Sequence, residues 1–356
     1  MKAWRLERLG GALEFADVAI PTPGPGDVVV KLEASALMSY LKAYVEGTLP
    51  FYNPPDGWFT PGGNGVGVIH AVGREVYHLK QGERVLVSSH IVANENARDP
   101  AQFLLGVTAA GPAAKALQRN WRDGTLADYV RVPKSSVTPV KGMDWASPEQ
   151  LCVLTRFAVP FGGLIRGRLA AGETIIVTGA TGAYGSAAVL LALALGAARI
   201  VAAGRNTAML DALGRLGPRV TTVALGGDAG ADSERLRAAS GGSADLAFDM
   251  VGNARDANAT LAALRSLRRG GRLVLMGSMT VPLPIPYLDV MLNDIEILGQ
   301  FMYPQNALMR LCELARSELL DFRAVQTRAF PLEALPEAMA AAAKAGGLEC
   351  VVVRPS

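Results

Sequence analysis

The sequence predicts an α/β protein in two parts: a β-rich N-terminal half and a parallel, doubly wound sheet of six strands. Three observations carry this. From about residue 160, buried-type strand runs at 174–178, 199–203, 219–223, 245–249, 272–276 and 296–301 alternate with helical patterns, the rhythm of a parallel sheet. Between the first of these strands and a small-residue apolar helix at 184–195 sits a glycine-rich turn, Gly179-Ala180-Thr181-Gly182-Ala183-Tyr184-Gly185. Before residue 150, short strand runs are bounded by Pro, Gly and Asp turn signals. A chain of 356 residues has room for two domains of about 150 residues each.

In chain order, the N-terminus mixes both charge signs and has no apolar core, so no secretory leader is expected. Strands are expected at 28–33, 67–72 and 84–87, the first of them following the turn Pro23-Gly24-Pro25-Gly26-Asp27. The segment 90–124 has little strand pattern. It reads as a long excursion with a helical piece at 113–118, and such loops in compact domains are usually functional. After the six strands, the last 40 or so residues return to mixed α and β. The longest apolar run, 187–198, is too short to span a bilayer at about 1.5 Å per residue. Half the residues are hydrophobic and 19% are charged, which excludes a disordered chain. The 35 basic and 32 acidic residues are interspersed and leave no nucleic-acid footprint. Cys152, Cys312 and Cys350 are too scattered for a disulfide framework or a metal cluster. A cytoplasmic protein with a small-molecule ligand, no nucleic-acid partner and no membrane span is expected.

The glycines are spaced G-x-x-G-x-x-G, directly after a strand and before a helix. In that context one glycine makes the tight turn, one lets the backbone approach a pyrophosphate, and one lets helix and strand pack closely. The pyrophosphate then meets the free N–H groups of the helix N-terminus. Gly179, Thr181, Gly182, Ala183 and Tyr184 are the candidate binding residues; the plain alternative is a turn that only packs a helix on a sheet. An NAD site usually places Asp or Glu about 20 residues later, on the ribose 2′-hydroxyl. Here the second strand runs into Gly204-Arg205-Asn206 with no acid. Gly204 leaves room and Arg205 offers a planar fork for a phosphate, so NADP(H) is expected; the alternative is a solvated Arg205. The ends of the fourth and fifth strands, with Val251, Met276, Gly277 and Ser278, border the same crevice.

Several stretches beside the glycine turn resemble the medium-chain dehydrogenase/reductase superfamily over essentially the whole chain. They are Pro21-Thr22-Pro23-Gly24-Pro25-Gly26-Asp27-Val28, Pro61-Gly62-Gly63-Asn64-Gly65-Val66-Gly67, Gly82-Glu83-Arg84-Val85 and Gly124-Thr125-Leu126-Ala127-Asp128-Tyr129. The resemblance implies a GroES-like β-barrel catalytic domain at 1–155, to which 303–356 returns, and a Rossmann NADP-binding domain at 156–302. It also implies a homodimer paired through the sixth strand, in the segment 288–302. The departures are informative. Zinc alcohol dehydrogenases of the family carry a Cys where this chain has Met38, His-Glu where it has Gly63-Asn64, and a third ligand, a Cys, near the position of Cys152. A lone cysteine cannot hold a catalytic zinc, which needs about three protein ligands. The chain is thus similar to the zinc-independent quinone oxidoreductase and enoyl reductase branches, and Cys152 reads as a small buried hydrophobe.

The resemblance puts Tyr40 where relatives place a Ser or Thr that relays the substrate proton. Its hydroxyl suits a developing oxyanion, and a core aromatic plug is the alternative. Ser39 is a weaker candidate, and Asn64 either orients a substrate carbonyl or satisfies a turn. His90, at the end of a strand beside the substrate pocket of relatives, offers an imidazole to donate or shuttle a proton. His70 and His78 read as structural. The resemblance also places Met276 and Gly277 against the nicotinamide, Thr155 and Tyr184 facing it, and Phe301, Met302 and Tyr303 at the end of the sixth strand closing the cleft. The expected function is NADPH-dependent, zinc-independent reduction of a quinone or α,β-unsaturated carbonyl compound. The alternatives are a metal-free NADP-dependent alcohol dehydrogenase or carbonyl reductase, and a non-catalytic NADPH-binding structural or sensor protein.

Overall fold

The computed structural model describes residues 1–355. A hairpin of β1 (Lys2–Leu6) and β2 (Leu13–Asp17) precedes β3 (Asp27–Ala36) and a short α1 (Leu41–Val45). Then come β4 (Gly65–Val72), β5 (Arg84–Val87), β6 (His90–Val92), β7 (Gln102–Leu104), β8 (Thr108–Ala109), α2 (Gly111–Asn120), β9 (Tyr129–Pro133) and β10 (Val137–Pro139). A long helix, α3 (Pro148–Arg166), leads into β11 (Thr174–Thr178), α4 (Ala183–Ala194), β12 (Arg199–Gly204), α5 (Thr207–Gly214), β13 (Val220–Ala224) and α6 (Ala229–Ser240). β14 (Ala244–Asp249), α7 (Asn258–Arg265), β15 (Leu267–Leu275), α8 (Tyr287–Leu292) and β16 (Glu296–Gly299) complete the central part. The chain ends with α9 (Ala307–Arg316), β17 (Gln326–Pro331), α10 (Leu335–Ala342) and β18 (Glu349–Arg354).

Two sheets position everything else. The six parallel strands run β13-β12-β11-β14-β15-β16, so the order reverses between β11 and β14. These strands read as near-continuous apolar runs because helices cover both faces. The other sheet, β10-β5-β4-β3-β18-β17, is barrel-like and centred on β3. β3 is ten residues long and its register with β4 shifts twice, which bends it; its first half pairs with β9 and its end with β18. Ser147 caps α3 in a reciprocal pair with Gln150, and Pro148 occupies the first turn. Pro160 sits inside this helix, which runs unbroken across residue 155. The buried side chains of α3, among them Phe157, Phe161 and Leu164, pack with Leu191 of α4 and Phe248 of β14 in one core, tying the barrel to the parallel sheet.

Three expectations change. The segment 90–124 holds a small sheet of β6, β7 and β8 beside α2. Strands of two or three residues are shorter than any period that a sequence can show. The sixth strand stops at Gly299, so Phe301, Met302 and Tyr303 lie beyond it; Phe301 is exposed and Tyr303 buried. His78 is exposed, not packed, whereas His70 of β4 sets its ring edge-on to Tyr129.

Candidate active site

The glycine turn lies at the C-terminal end of β11, where the strand order reverses, the position at which open parallel sheets bind ligands. Its three glycines differ physically. Gly179 has φ +67°, and a Cβ there would lie 2.7 Å from the Met250 carbonyl oxygen, so only glycine makes this turn. A Cβ on Gly185 would lie 2.1 Å from the Gly179 carbonyl oxygen, which seals helix to turn. Gly182 is exposed, and the nearest atom to a Cβ there is 3.4 Å away; it leaves the N-terminus of α4 open, with no side chain capping it. This cradle fits a dinucleotide phosphate.

At the end of β12 the picture differs in part from the sequence reading. The space at Gly204 is filled by Thr181, whose methyl carbon would be 2.7 Å from a Cβ, so this glycine serves backbone packing and not ligand access. Asn206 caps α5 through Oδ1, accepting from the Met209 N–H. Arg205 is exposed and has no carboxylate within 4 Å among the described residues. Gly277 packs against the Val251 carbonyl, where a Cβ would come within 2.1 Å, and the Ser278 hydroxyl is 3.0 Å from a Cβ at Gly252. The ends of β14 and β15 thus close on each other beside the turn. Asp249, buried at the end of β14, accepts from the hydroxyls of Thr178 (2.6 Å) and Thr260 (3.1 Å), and burial raises its pKa.

A narrow cleft joins the two sheets, lined by Ser39 and Asn64 on the barrel side and by Thr155, Arg156, Ala183 and Tyr184 on the other. The structure therefore brings together Ser39, Asn64, Thr155, Ala183 and Tyr184 from the sequence-derived candidates. The Asn64 Oδ1 accepts from the Ser89 N–H (3.0 Å), which orients the amide; its Nδ2 has no acceptor among the described residues. Thr155 is less available, since its hydroxyl donates to the Cys152 carbonyl (2.7 Å).

Tyr40 belongs to a tyrosine cluster. Its ring lies 6.0 Å from that of Tyr52, which lies 5.4 Å from Tyr44, and the two phenols of Tyr40 and Tyr52 influence each other's ionisation. Burial, aided by Tyr184 and Tyr52, pushes the Tyr40 phenol well above its ordinary range. Tyr184 is pushed up to about 12 by burial, against the pull of Arg156. Both phenols are therefore hydrogen-bond donors at neutral pH. Tyr52 and Arg156 escape sequence reasoning. An aromatic in a Pro-rich loop and an arginine inside a helix carry no motif.

His90 is placed elsewhere. Its Nδ1 lies 3.2 Å from the Tyr303 carbonyl oxygen and its Nε2 2.8 Å from the Gln102 side chain, while the Tyr303 hydroxyl bonds Ser88 (2.9 Å). Both ring nitrogens are engaged with protein, so the imidazole that the sequence offers to substrate has no free atom. Phe301 stacks edge-on to this ring at 5.9 Å, and Phe301 is 56% exposed.

The positions corresponding to zinc ligands do not fit a zinc ion. Met38 offers a neutral thioether in place of a thiolate, and a Cβ on Gly63 would sit 2.5 Å from the Ser89 Cβ, which closes the place of a histidine. Cys152 is fully buried with Sγ 3.6 Å from the Ala34 carbonyl, and burial raises its thiol well above the ordinary value. Among the described residues, no group of three or more His, Cys, Asp or Glu side chains could hold a metal.

The alcohol dehydrogenase GroES-like domain family matches residues 24–142, and the zinc-binding dehydrogenase family matches residues 183–317. An alcohol dehydrogenase of Moraxella sp. (strain TAE123) is 32% identical over 85% of this chain and 85% of its own length. A sorbitol dehydrogenase of Bacillus subtilis (strain 168) is 27% identical over 92% of this chain and 89% of its own. The crystal structure of 2R,3R-butanediol dehydrogenase from Bacillus subtilis superposes with a TM-score of 0.83 at 20% identity, covering 100% of this chain and 99% of that one.

Proposed function

The chain belongs to the medium-chain dehydrogenase/reductase superfamily, oxidoreductases that use nicotinamide cofactors, and we propose that it is an NADP(H)-dependent member working without a metal on a quinone or an α,β-unsaturated carbonyl compound. One observation carries the proposal: at the positions where zinc-type relatives keep ligands, the barrel side of this cleft offers neutral donors, the Asn64 amide and the Ser39 hydroxyl, and no metal-holding set among the described residues. Neutral donors suffice to meet negative charge developing on the oxygen of an activated acceptor. They give little help in drawing hydride from an unactivated alcohol. NADPH, when bound, supplies the hydride. Asn64 holds the acceptor oxygen, and the Tyr40 phenol behind the wall supplies the proton. The unpaired Arg205 supports NADP over NAD.

A second reading rests on the relatives named alcohol and sorbitol dehydrogenase: a metal-free carbonyl reductase or alcohol dehydrogenase on the same scaffold. The two-domain division at 155 and 302 belongs to the proposal, as does a homodimer. β16 forms one edge of the parallel sheet, and α8 beside it buries none of its side chains, leaving Leu288, Met291 and Leu292 exposed. No helix among the described residues is long and apolar enough to cross a membrane.

The test is NADPH consumption by chelator-treated protein with a benzoquinone, a linear enone, a cyclic enone, a ketone and an aldehyde. Turnover confined to the first three supports the proposal, and turnover confined to the last two moves the enzyme to the second reading. Activity lost on chelation and restored by zinc sinks the metal-free reading altogether.

A further inference from the structure

We infer that Arg156 clamps the diphosphate of the bound dinucleotide, an assignment that rests on the nicotinamide-cofactor reading of the cleft. Arg156 lies in the middle of α3 and is only 9% exposed. Its Nη1 donates to the carbonyl oxygens of Glu349 (2.7 Å) and Gly347 (3.3 Å). No carboxylate lies within 4 Å of it among the described residues, and Cys152, Cys350 and Tyr184 are near it. The other buried arginine, Arg272, shows the ordinary solution: its Nη2 meets Glu173 Oε1 at 2.5 Å. A buried guanidinium without a counter-charge is costly, so its retention points to a negative group supplied from outside the chain.

The cleft says which group. Arg156 lines it together with Ala183 and Tyr184, the first two residues of the twelve-residue helix α4. That helix has no side-chain cap, so its positive end also faces the cleft. The remaining polar lining, Ser39, Asn64 and Thr155, carries no charge. Two positive features and no negative one bracket the same space. A planar fork beside a helix N-terminus suits phosphate oxygens, which accept from both. The guanidinium is also held rigidly. Gly347, whose carbonyl it bonds, accepts as well from the Ser186 hydroxyl of α4 (2.6 Å). Helix α3, helix α4 and the chain entering β18 thus form one frame around the anion.

The test is calorimetric titration of the purified protein with NADPH and with NADH, for wild type, R156M, R156K and R205A. R156M is expected to weaken both cofactors together by about tenfold or more, whereas R205A weakens NADPH alone. R156K keeps the charge but loses the fork and falls between, about threefold or more. If R156M does not fold, R156K decides on the same criterion. Dissociation constants unchanged for both cofactors in the folded variant overturn the inference. Unchanged constants with a raised KM for a carboxylate-bearing acceptor also overturn it and give the anion to the substrate. A wild-type protein that binds neither cofactor sinks the cofactor reading itself, whereas tight binding in wild type and variant alike sinks only the role of Arg156.

Discussion

The two walls of the cleft are built by different means. On the nucleotide wall, the work is done by backbone: the Gly179 turn against Met250, the Gly185 seal, the open N-terminus of α4. On the barrel wall it is done by side chains whose roles depend on what else they touch. Asn64 is oriented by Ser89, and behind the wall, outside the cleft, Tyr40 packs on Tyr52 and His90 is held by Gln102 and Tyr303. A backbone-built site is written in glycine spacing, and substitutions there are felt as stability and binding. A side-chain site is written in neighbours far away in sequence, and substitutions there are felt as chemistry.

Tyr40→Phe should cost about 10²- to 10⁴-fold in kcat, the range for a lost positioned proton donor, with NADPH affinity unchanged. Full kcat in steady-state assays would return Tyr40 to the role of core plug and leave Asn64 or water as the donor. Gly185→Val should then cost about 3 kcal/mol in urea unfolding, because its Cβ meets a carbonyl oxygen that cannot move away. Gly63→Ala is the matched control on the other wall. Its Cβ would lie 2.5 Å from the Ser89 Cβ and 3.0 Å from the Leu105 carbonyl oxygen, a looser fit than the 2.1 Å contact at Gly185 and for a smaller side chain, so the loss should be nearer 1 kcal/mol. Equal losses would erase the distinction between the walls. Arg205→Ala should raise the KM for NADPH about tenfold, worth about 1.4 kcal/mol, and barely change that for NADH. Equal changes for both cofactors would remove the case for the 2′-phosphate.

The sequence made the parallel sheet legible because its central strands are buried on both faces and show as apolar runs, as in 174–178 and 199–203. The barrel side was legible only in part. β7 and β8 are too short to show a period, and β17 is a sheet-edge strand with no buried residue and a broken alternation at Arg328 and Ala329. For the site, residue type was a good guide and contact was not. Arg205 shows as an exposed fork from its place after the strand, but the room that Gly204 suggests in the sequence is filled by the Thr181 side chain across the turn. Arg156 looks like any helical arginine until the neighbouring acids are found to be missing.

The smallest effect expected is in the pH dependence of stability, and it tests the side-chain wall. Burial lowers the His90 pKa below 6.5, with the hydrogen bonds to Gln102 and the Tyr303 carbonyl opposing. The unfolded chain therefore binds a proton that the native ring resists. Stability from this group is full above about pH 6.5 and is lost as pH falls toward the native value, at no more than about 1.4 kcal/mol per pH unit. His90→Gln keeps a polar group in the network and removes the titration. Urea midpoints for wild type and variant, compared from about pH 8 down to about pH 5, should converge or cross as the wild type alone loses this contribution. Parallel profiles would mean that the unfolded and native rings titrate alike, and that the Tyr303 network tolerates a charged imidazole. The barrel wall would then be less rigidly wired than its hydrogen bonds indicate, and the backbone-built wall would remain the sole part of the cleft that geometry fixes.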